Sequence, residues 1–83
     1  MPYIKQVRRE QIYRPCEDIR TSGELNFVFT SIAKDYILNR GETYQTYNDI
    51  IGALEGCKLE LYRRMTSNYE DTKIKENGDV YNF

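Results

Sequence analysis

Apolar residues recur at intervals of three and four along two stretches of the chain, which is the pattern of amphipathic helices. The first stripe predicts a helix over about 22–39. Its members are Leu25, Val28, Phe29, Ile32, Ala33 and Tyr36. The second stripe is the strongest periodic signal in the chain and predicts a long helix over about 44–66. Its members are Tyr47, Ile50, Ile51, Leu54, Cys57, Leu61 and Met65. The chain is therefore expected to be all-α, with a hairpin of two main helices.

Start and stop signals flank both stripes. Residues 21–24 read Thr-Ser-Gly-Glu, the form of a capping box in which the Thr hydroxyl accepts the Glu amide and the Glu carboxylate bonds back to the Thr amide. Arg40-Gly41 is a typical helix stop, because Gly adopts a positive φ just past the last turn without strain. Thr43 then provides a second start.

The two ends of the chain give weaker signals. Residues 1–20 show neither a helical nor an alternating period, and Pro15 interrupts them, so we expect a loose N-terminal arm with a short turn at 16–20. The long helix is expected to fray near 65–68, where Thr, Ser and Asn compete for backbone hydrogen bonds. Residues 67–83 are then a C-terminal tail, in which 69–75 can carry a further turn or two.

This tail also contains a turn at Asn77-Gly78 and two aromatic residues, Tyr81 and Phe83, as candidates for docking on the body or on a neighbouring subunit. The 83 residues amount to a single small domain with little core of its own.

Both helices carry apolar residues off the main stripe, and a two-helix unit cannot cover more than one side of each. Those residues are Phe27, Ile37, Leu38, Leu59 and Tyr62. This surplus predicts a homo-oligomer of two to four chains. Gly52 and Gly56 lie one turn apart on one face, which predicts a close helix crossing there, within the chain or between chains, unless they are two tolerated glycines.

Composition excludes several classes of function. The chain has 12 Lys plus Arg against 13 Asp plus Glu, and this net charge of -1 argues against broad binding of duplex nucleic acid. Its apolar runs are too short for a membrane span and its first twenty residues lack a signal-peptide core, so we expect a cytoplasmic protein, in the host cytoplasm if the source is viral. With no His, a catalytic role is disfavoured and neither a metal site nor a cofactor is expected. Cys16 and Cys57 are expected to be free, partly buried thiols.

Eight tyrosines in this short chain direct attention to one candidate site. Tyr44, Tyr47, Asn48 and Asp49 follow the Thr43 start, so aromatic rings and edge-reading groups lie beside a helix N-terminus, which favours phosphate. A small nucleotide uses all of these groups, since bases stack on Tyr and pair their edges with Asn or Asp. Equally, Asn48 and Asp49 can serve only to satisfy the first helical turn.

Two arginine doublets are candidate phosphate contacts. Arg63 and Arg64 are the first choice and Arg8 and Arg9 the second, provided that folding or assembly brings them to the tyrosines. The alternative is that each doublet belongs to a solvated face.

Four blocks of the sequence, MPYIKQ, YNDIIG, KLELYRR and ENGDVY, resemble a family of small helical proteins of bacteria, archaea and phages whose members are mostly of unknown function. The chain is also similar in size and build to phage proteins that act as sponges, binding the cyclic nucleotide signals of host CBASS immunity without cutting them. That likeness implies a non-catalytic anti-CBASS protein, used in phage immune evasion, with a cyclic nucleotide bound at subunit interfaces. The competing hypothesis is a small helical protein-protein interaction module that binds a host or cellular partner.

Overall fold

The computed structural model describes residues 2–13 and 18–81, and these residues form helices and no strand. The helices are α1 (Gln6–Ile12), α2 (Ser22–Arg40), α3 (Tyr44–Leu61) and α4 (Ser67–Asn77), with a π-helical segment, Tyr62–Thr66, between α3 and α4. Helices α2 and α3 pack against each other as a hairpin. The all-α class and the hairpin predicted from the two stripes are therefore confirmed.

The start of α2 uses the predicted cap with one changed partner. Thr21 Oγ1 accepts a hydrogen bond from the Glu24 amide at 3.1 Å, as a capping box requires. The Glu24 carboxylate accepts from the amide of Arg20 at 3.1 Å, one residue before the amide that the motif predicts. Such a cap is worth about 1 kcal/mol, so this short motif fixes where α2 begins.

The turn between α2 and α3 is built from Gly41 and Thr43. Gly41 has a φ of 91°, a conformation that strains any residue with a Cβ, and its amide closes the last turn of α2. Thr43 Oγ1 accepts from the Thr46 amide at 3.1 Å and lies 3.0 Å from the Thr46 hydroxyl oxygen. Thr46 is 4% exposed, and it is the buried residue of the described chain. A turn this short makes α2 and α3 antiparallel neighbours.

The N-terminal arm is more ordered than its sequence predicts. Residues 6–12 form α1, so the expectation of a loose arm is wrong there. No regular apolar stripe marks this helix, which is why its pattern failed to predict it. Residues 16 and 17 of the predicted turn, and with them Cys16, lie outside the described residues, while Asp18 is in a turn.

The long helix does not end at 66 as predicted, because the π-helical segment leads directly into α4 and Thr66 and Ser67 keep helical backbone angles. The polar side chains in this region hydrogen-bond to carbonyls one turn back instead of breaking the helix. Asn68 Nδ2 donates to the Arg64 carbonyl at 2.9 Å, and Thr72 Oγ1 donates to the Asn68 carbonyl at 3.2 Å. The helix stops before Gly78, whose φ is 89°, as the Asn77-Gly78 signal predicts. Phe83 lies outside the described residues.

The chain leaves an unusually large surface in contact with solvent. Its radius of gyration is 17.0 Å, whereas a compact chain of this length has one of about 12 Å. Its accessible surface is 7916 Å², about 2,700 Å² more than a compact monomer of this mass exposes. No apolar side chain within 2–13 or 18–81 is buried, so the hairpin has one covered side and no closed core.

No helix of the described chain combines the length and the apolar character needed to cross a membrane.

The thiol of Cys57 is exposed, which corrects the expectation of a partly buried one.

No helix of the same chain crosses α3 at Gly52. A Cβ added there would meet no atom within 4 Å, so the predicted crossing is wrong at this position within the chain. The physical reason is angular: Gly52 lies about 120° around the helix axis from Thr46, which faces α2.

We expect Gly52→Ala to stabilise the protein by about 0.5–1 kcal/mol, because alanine restricts the unfolded chain and its methyl group has open space in α3. The measurement is the free energy of unfolding from urea denaturation at matched protein concentration. A loss of stability with Gly52→Ala would show instead that another chain approaches α3 at this glycine.

Candidate functional site

The four residues at the start of α3 lie together on its first turns, as their spacing predicts. The Tyr44 side chain is 79% exposed. Tyr47 folds back and donates its hydroxyl to Glu42 Oε1 at 3.0 Å. Asn48 is exposed, and Asp49 makes two contacts within the chain. Tyr44 and Asn48 therefore remain on the surface, while the polar ends of Tyr47 and Asp49 are already engaged.

Asp49 connects α3 to α2. Its Oδ1 accepts from Gln45 Nε2 at 2.7 Å, and its Oδ2 accepts from the Tyr36 hydroxyl of α2 at 2.9 Å. These hydrogen bonds, that of Gln45 first and that of Tyr36 second, hold the pKa of Asp49 below its ordinary value. Tyr36 enters the apolar stripe of α2 by its ring, so sequence spacing alone gave no sign of this second role.

Arg63 and Arg64 lie in the π-helical segment, far from the tyrosines. Arg63 Nη2 forms an ion pair with Glu60 Oε1 at 2.7 Å. Nineteen residues separate Arg63 from Tyr44, which is about 28 Å along the helix axis. One chain therefore does not bring Tyr44, Tyr47, Asn48 and Asp49 to Arg63 and Arg64; these two groups can meet only between copies.

The N-terminal arm instead docks beside the second doublet, through a group that we call the Tyr3 cluster: Tyr3, Arg9, Glu60 and Arg63. The Tyr3 hydroxyl donates to Glu60 Oε1, the oxygen that Arg63 also binds. The Arg9 guanidinium lies 5.9 Å from the centre of the Tyr3 ring, and Arg9 Nε donates to the Ile4 carbonyl at 2.7 Å. One arginine from each doublet thus lies beside the same tyrosine.

Electrostatics in the Tyr3 cluster favour an ionised carboxylate. The hydrogen bond from Tyr3, followed by that from Arg63, holds the pKa of Glu60 below its ordinary value. The same bond raises the pKa of Tyr3. Arg8, the other member of its doublet, donates to Gln11 Oε1 at 3.0 Å. Sequence reasoning did not predict the Tyr3 contact, because its partner is 57 residues away.

Hydrogen bonds to carboxylates explain part of the tyrosine content. The hydroxyls of Tyr3, Tyr36 and Tyr47 all donate to carboxylates. A hydrogen bond with Glu70 likewise raises the pKa of Tyr62. In these four residues the ring supplies apolar area while the hydroxyl finds a partner inside the chain.

An apolar groove of about 320 Å³ runs along one side of the α2–α3 hairpin. We call it the hairpin groove. It is lined by Phe29, Ile32, Ala33, Tyr36, Asp49, Ile50, Ala53, Leu54 and Cys57. Its larger apolar members are well exposed: Phe29 is 44%, Leu54 46% and Ile32 57% accessible. Such a surface is suited to burying another apolar group.

Over residues 2–13 and 18–81, no three His, Cys, Asp or Glu side chains are placed to hold a metal ion together.

The Tyr36–Asp49 contact makes a pH-dependent contribution with a defined sign. Since the pKa of Asp49 is lowered on folding, the carboxylate stabilises the fold above its unfolded pKa, and this stabilisation is lost as the pH falls through the lower folded pKa. We expect Tyr36→Phe to raise the pKa of Asp49 towards, but not to, its ordinary value, because Gln45 still donates. Carboxyl-carbon NMR titration measures this.

Tyr47→Phe is the matched control, since Tyr47 donates to Glu42 and not to Asp49. An Asp49 pKa unchanged by Tyr36→Phe, or shifted equally by both variants, would contradict the contact.

No curated protein and no solved structure matches the chain. A family model does match: that of a domain of unknown function, DUF6899, over residues 1–80. This agrees with the expectation of a small family of mostly unknown function, and because the match covers nearly the whole sequence, the chain belongs to the DUF6899 family.

Proposed function

We propose that this protein is a non-catalytic binding protein whose ligand is another polypeptide, which lies in the hairpin groove. The observation that carries the proposal is the exposure of the groove in a chain whose described part buries no apolar side chain. Covering apolar surface is favourable by about 25 cal/mol for each Å² removed from water. An amphipathic helix fits such a groove by its geometry.

The ionisable groups support binding over catalysis. The chain has no His, and the hydrogen-bonded carboxyl groups of Asp49 and Glu60 have lowered pKa values. A general acid or base works best with a pKa near the operating pH, so carboxylates shifted in this direction are poor proton carriers at neutral pH. Their hydrogen bonds instead hold α2 and the N-terminal arm to α3.

We expect the tagged protein to retain a polypeptide in near-equal amount, either from a lysate of its source or as an untagged second copy expressed with it. Leu54→Lys should reduce retention about tenfold or more, because an unpaired ammonium in an apolar contact is strongly unfavourable. Quantitative mass spectrometry of the washed complex gives the ratio.

Leu59→Lys is the matched control. Both leucines are exposed positions of α3, but they lie about 140° apart around the helix, so only Leu54 lines the groove. Circular dichroism verifies that both variants keep the helical content of the wild type. Equal retention by the two variants would refute the groove as the binding surface.

A second candidate function is sequestration of a cyclic nucleotide immune signal, as in phage evasion of CBASS. The observation that favours it is the Tyr3 cluster, where one arginine from each doublet lies beside an aromatic ring that is 46% exposed. An aromatic face and guanidinium groups are the elements that bind a base and a phosphate. Glu60 weakens the case, since a carboxylate there repels an anion.

For this second function, a cyclic di- or trinucleotide should raise the midpoint of thermal unfolding, because a ligand that binds only the folded state stabilises it. Arg9→Ala should abolish the shift if the ligand lies at the Tyr3 cluster, and Tyr44→Ala should abolish it if the ligand lies at the start of α3. Intact nucleotide recovered after denaturation distinguishes a sponge from an enzyme. No shift across the panel removes the candidate.

A further inference from the structure

We infer that the polypeptide in the hairpin groove is a second copy of this chain, related by a two-fold axis near Leu54 so that the two α3 helices run antiparallel. The inference rests on the proposed function, because it names the partner of the same groove. Two hairpins joined in this way form a four-helix bundle, with their groove faces turned inward.

The exposed area is of the size that a permanent dimer buries. The chain exposes about 2,700 Å² more than a compact monomer of its mass, and obligate dimers bury about 2,000–5,000 Å² in total. A short transient contact would leave most of this excess uncovered. A second hairpin presents an apolar face of the same length and therefore covers it.

The apolar residues of α3 that border the groove are centred on Leu54. They are Tyr47, Ile50, Leu54, Cys57 and Leu61. Their spacing of three, four, three and four is that of a seam between paired helices. Tyr47, Leu54 and Leu61 are 40%, 46% and 59% exposed, so the seam is accessible along its whole length. In a two-fold contact the same patch serves both chains, and a seam centred on one residue meets its own copy end to end.

Charge selects the antiparallel direction. Glu42 precedes α3, whereas Arg63 and Arg64 follow it, so the two ends of the seam carry opposite charge. Antiparallel pairing about Leu54 places Glu42 of one copy near the level of Arg64 of the other, because the two residues lie about 15–18 Å on either side of the axis. Parallel pairing would place like charges together at both ends. It would also align the helix dipoles unfavourably.

The antiparallel dimer has a consequence for the candidate residues. Tyr44 of one copy lies at the level of Arg64 of the other, since both are ten residues from Leu54. The tyrosines and arginines that are separated in one chain are thereby brought to the same end of the dimer, once at each end.

The first test is the mass of the wild-type protein in solution, by sedimentation equilibrium over a range of concentrations. We expect twice the 9.9 kDa of one chain, or four times if dimers pair further. Leu54→Lys should shift the mass towards one chain, and Leu59→Lys should leave it unchanged. A wild-type mass of one chain or three overturns the inference.

The second test measures direction by disulfide formation in a chain carrying Cys16→Ser and Cys57→Ser. Mixing the Tyr47→Cys and Leu61→Cys variants should give a disulfide between the two variants under mild oxidation, because antiparallel pairing sets these positions opposite each other. Tyr47→Cys alone should not dimerise covalently, since its two copies are about 21 Å apart along the axis. Efficient disulfide formation by Tyr47→Cys alone indicates parallel helices and overturns the antiparallel arrangement.

The two proposals fail differently. A monomeric wild type that still retains a source polypeptide through Leu54 refutes the second copy and leaves the proposed function standing. Loss of both self-association and polypeptide retention refutes both.

Discussion

A hairpin of two helices has one helix-helix interface, and this constraint governs the rest of the structure. The contact between α2 and α3 covers one side of each helix, and what the described chain buries is the polar Thr46 beside the turn. The remaining apolar side chains face water. Conformational entropy opposes folding at every ordered residue, so a chain with this little burial gains most of its hydrophobic stabilisation from contacts outside itself.

Polar contacts take the place of packing in holding the elements together. Tyr36 joins α2 to Asp49 of α3, and Tyr3 joins the N-terminal arm to Glu60. In both contacts a phenol donates to an exposed carboxylate, where solvent competes for the hydrogen bond. These contacts fix orientation more than they add stability, because a hydrogen bond exchanged with water contributes little net free energy.

The sequence predicted those parts of the fold that have local causes. Thr21, Gly41 and Thr43 mark helix ends through hydrogen bonds that span at most four residues, so α2 and the start of α3 could be found from spacing alone. Helices α1 and α4 have no strong apolar stripe, and their prediction failed for that reason. The Tyr3–Glu60 contact joins the two ends of the chain, and no local pattern encodes such a pairing. The candidate site was similarly incomplete: the spacing placed Asp49 correctly on α3 but could not identify Tyr36 as its partner.

The π-helical segment at Tyr62–Thr66 makes the length of this region matter more than its composition. A π-helical turn holds one residue more than an α-helical turn, and one residue corresponds to about 100° of rotation. Deleting a single position there would return the segment to α-helical geometry and swing Tyr69 and Ile74 to a different side of the molecule. Over evolution, exchanges of side chain within these five residues are therefore tolerable, whereas insertions and deletions redirect everything that follows.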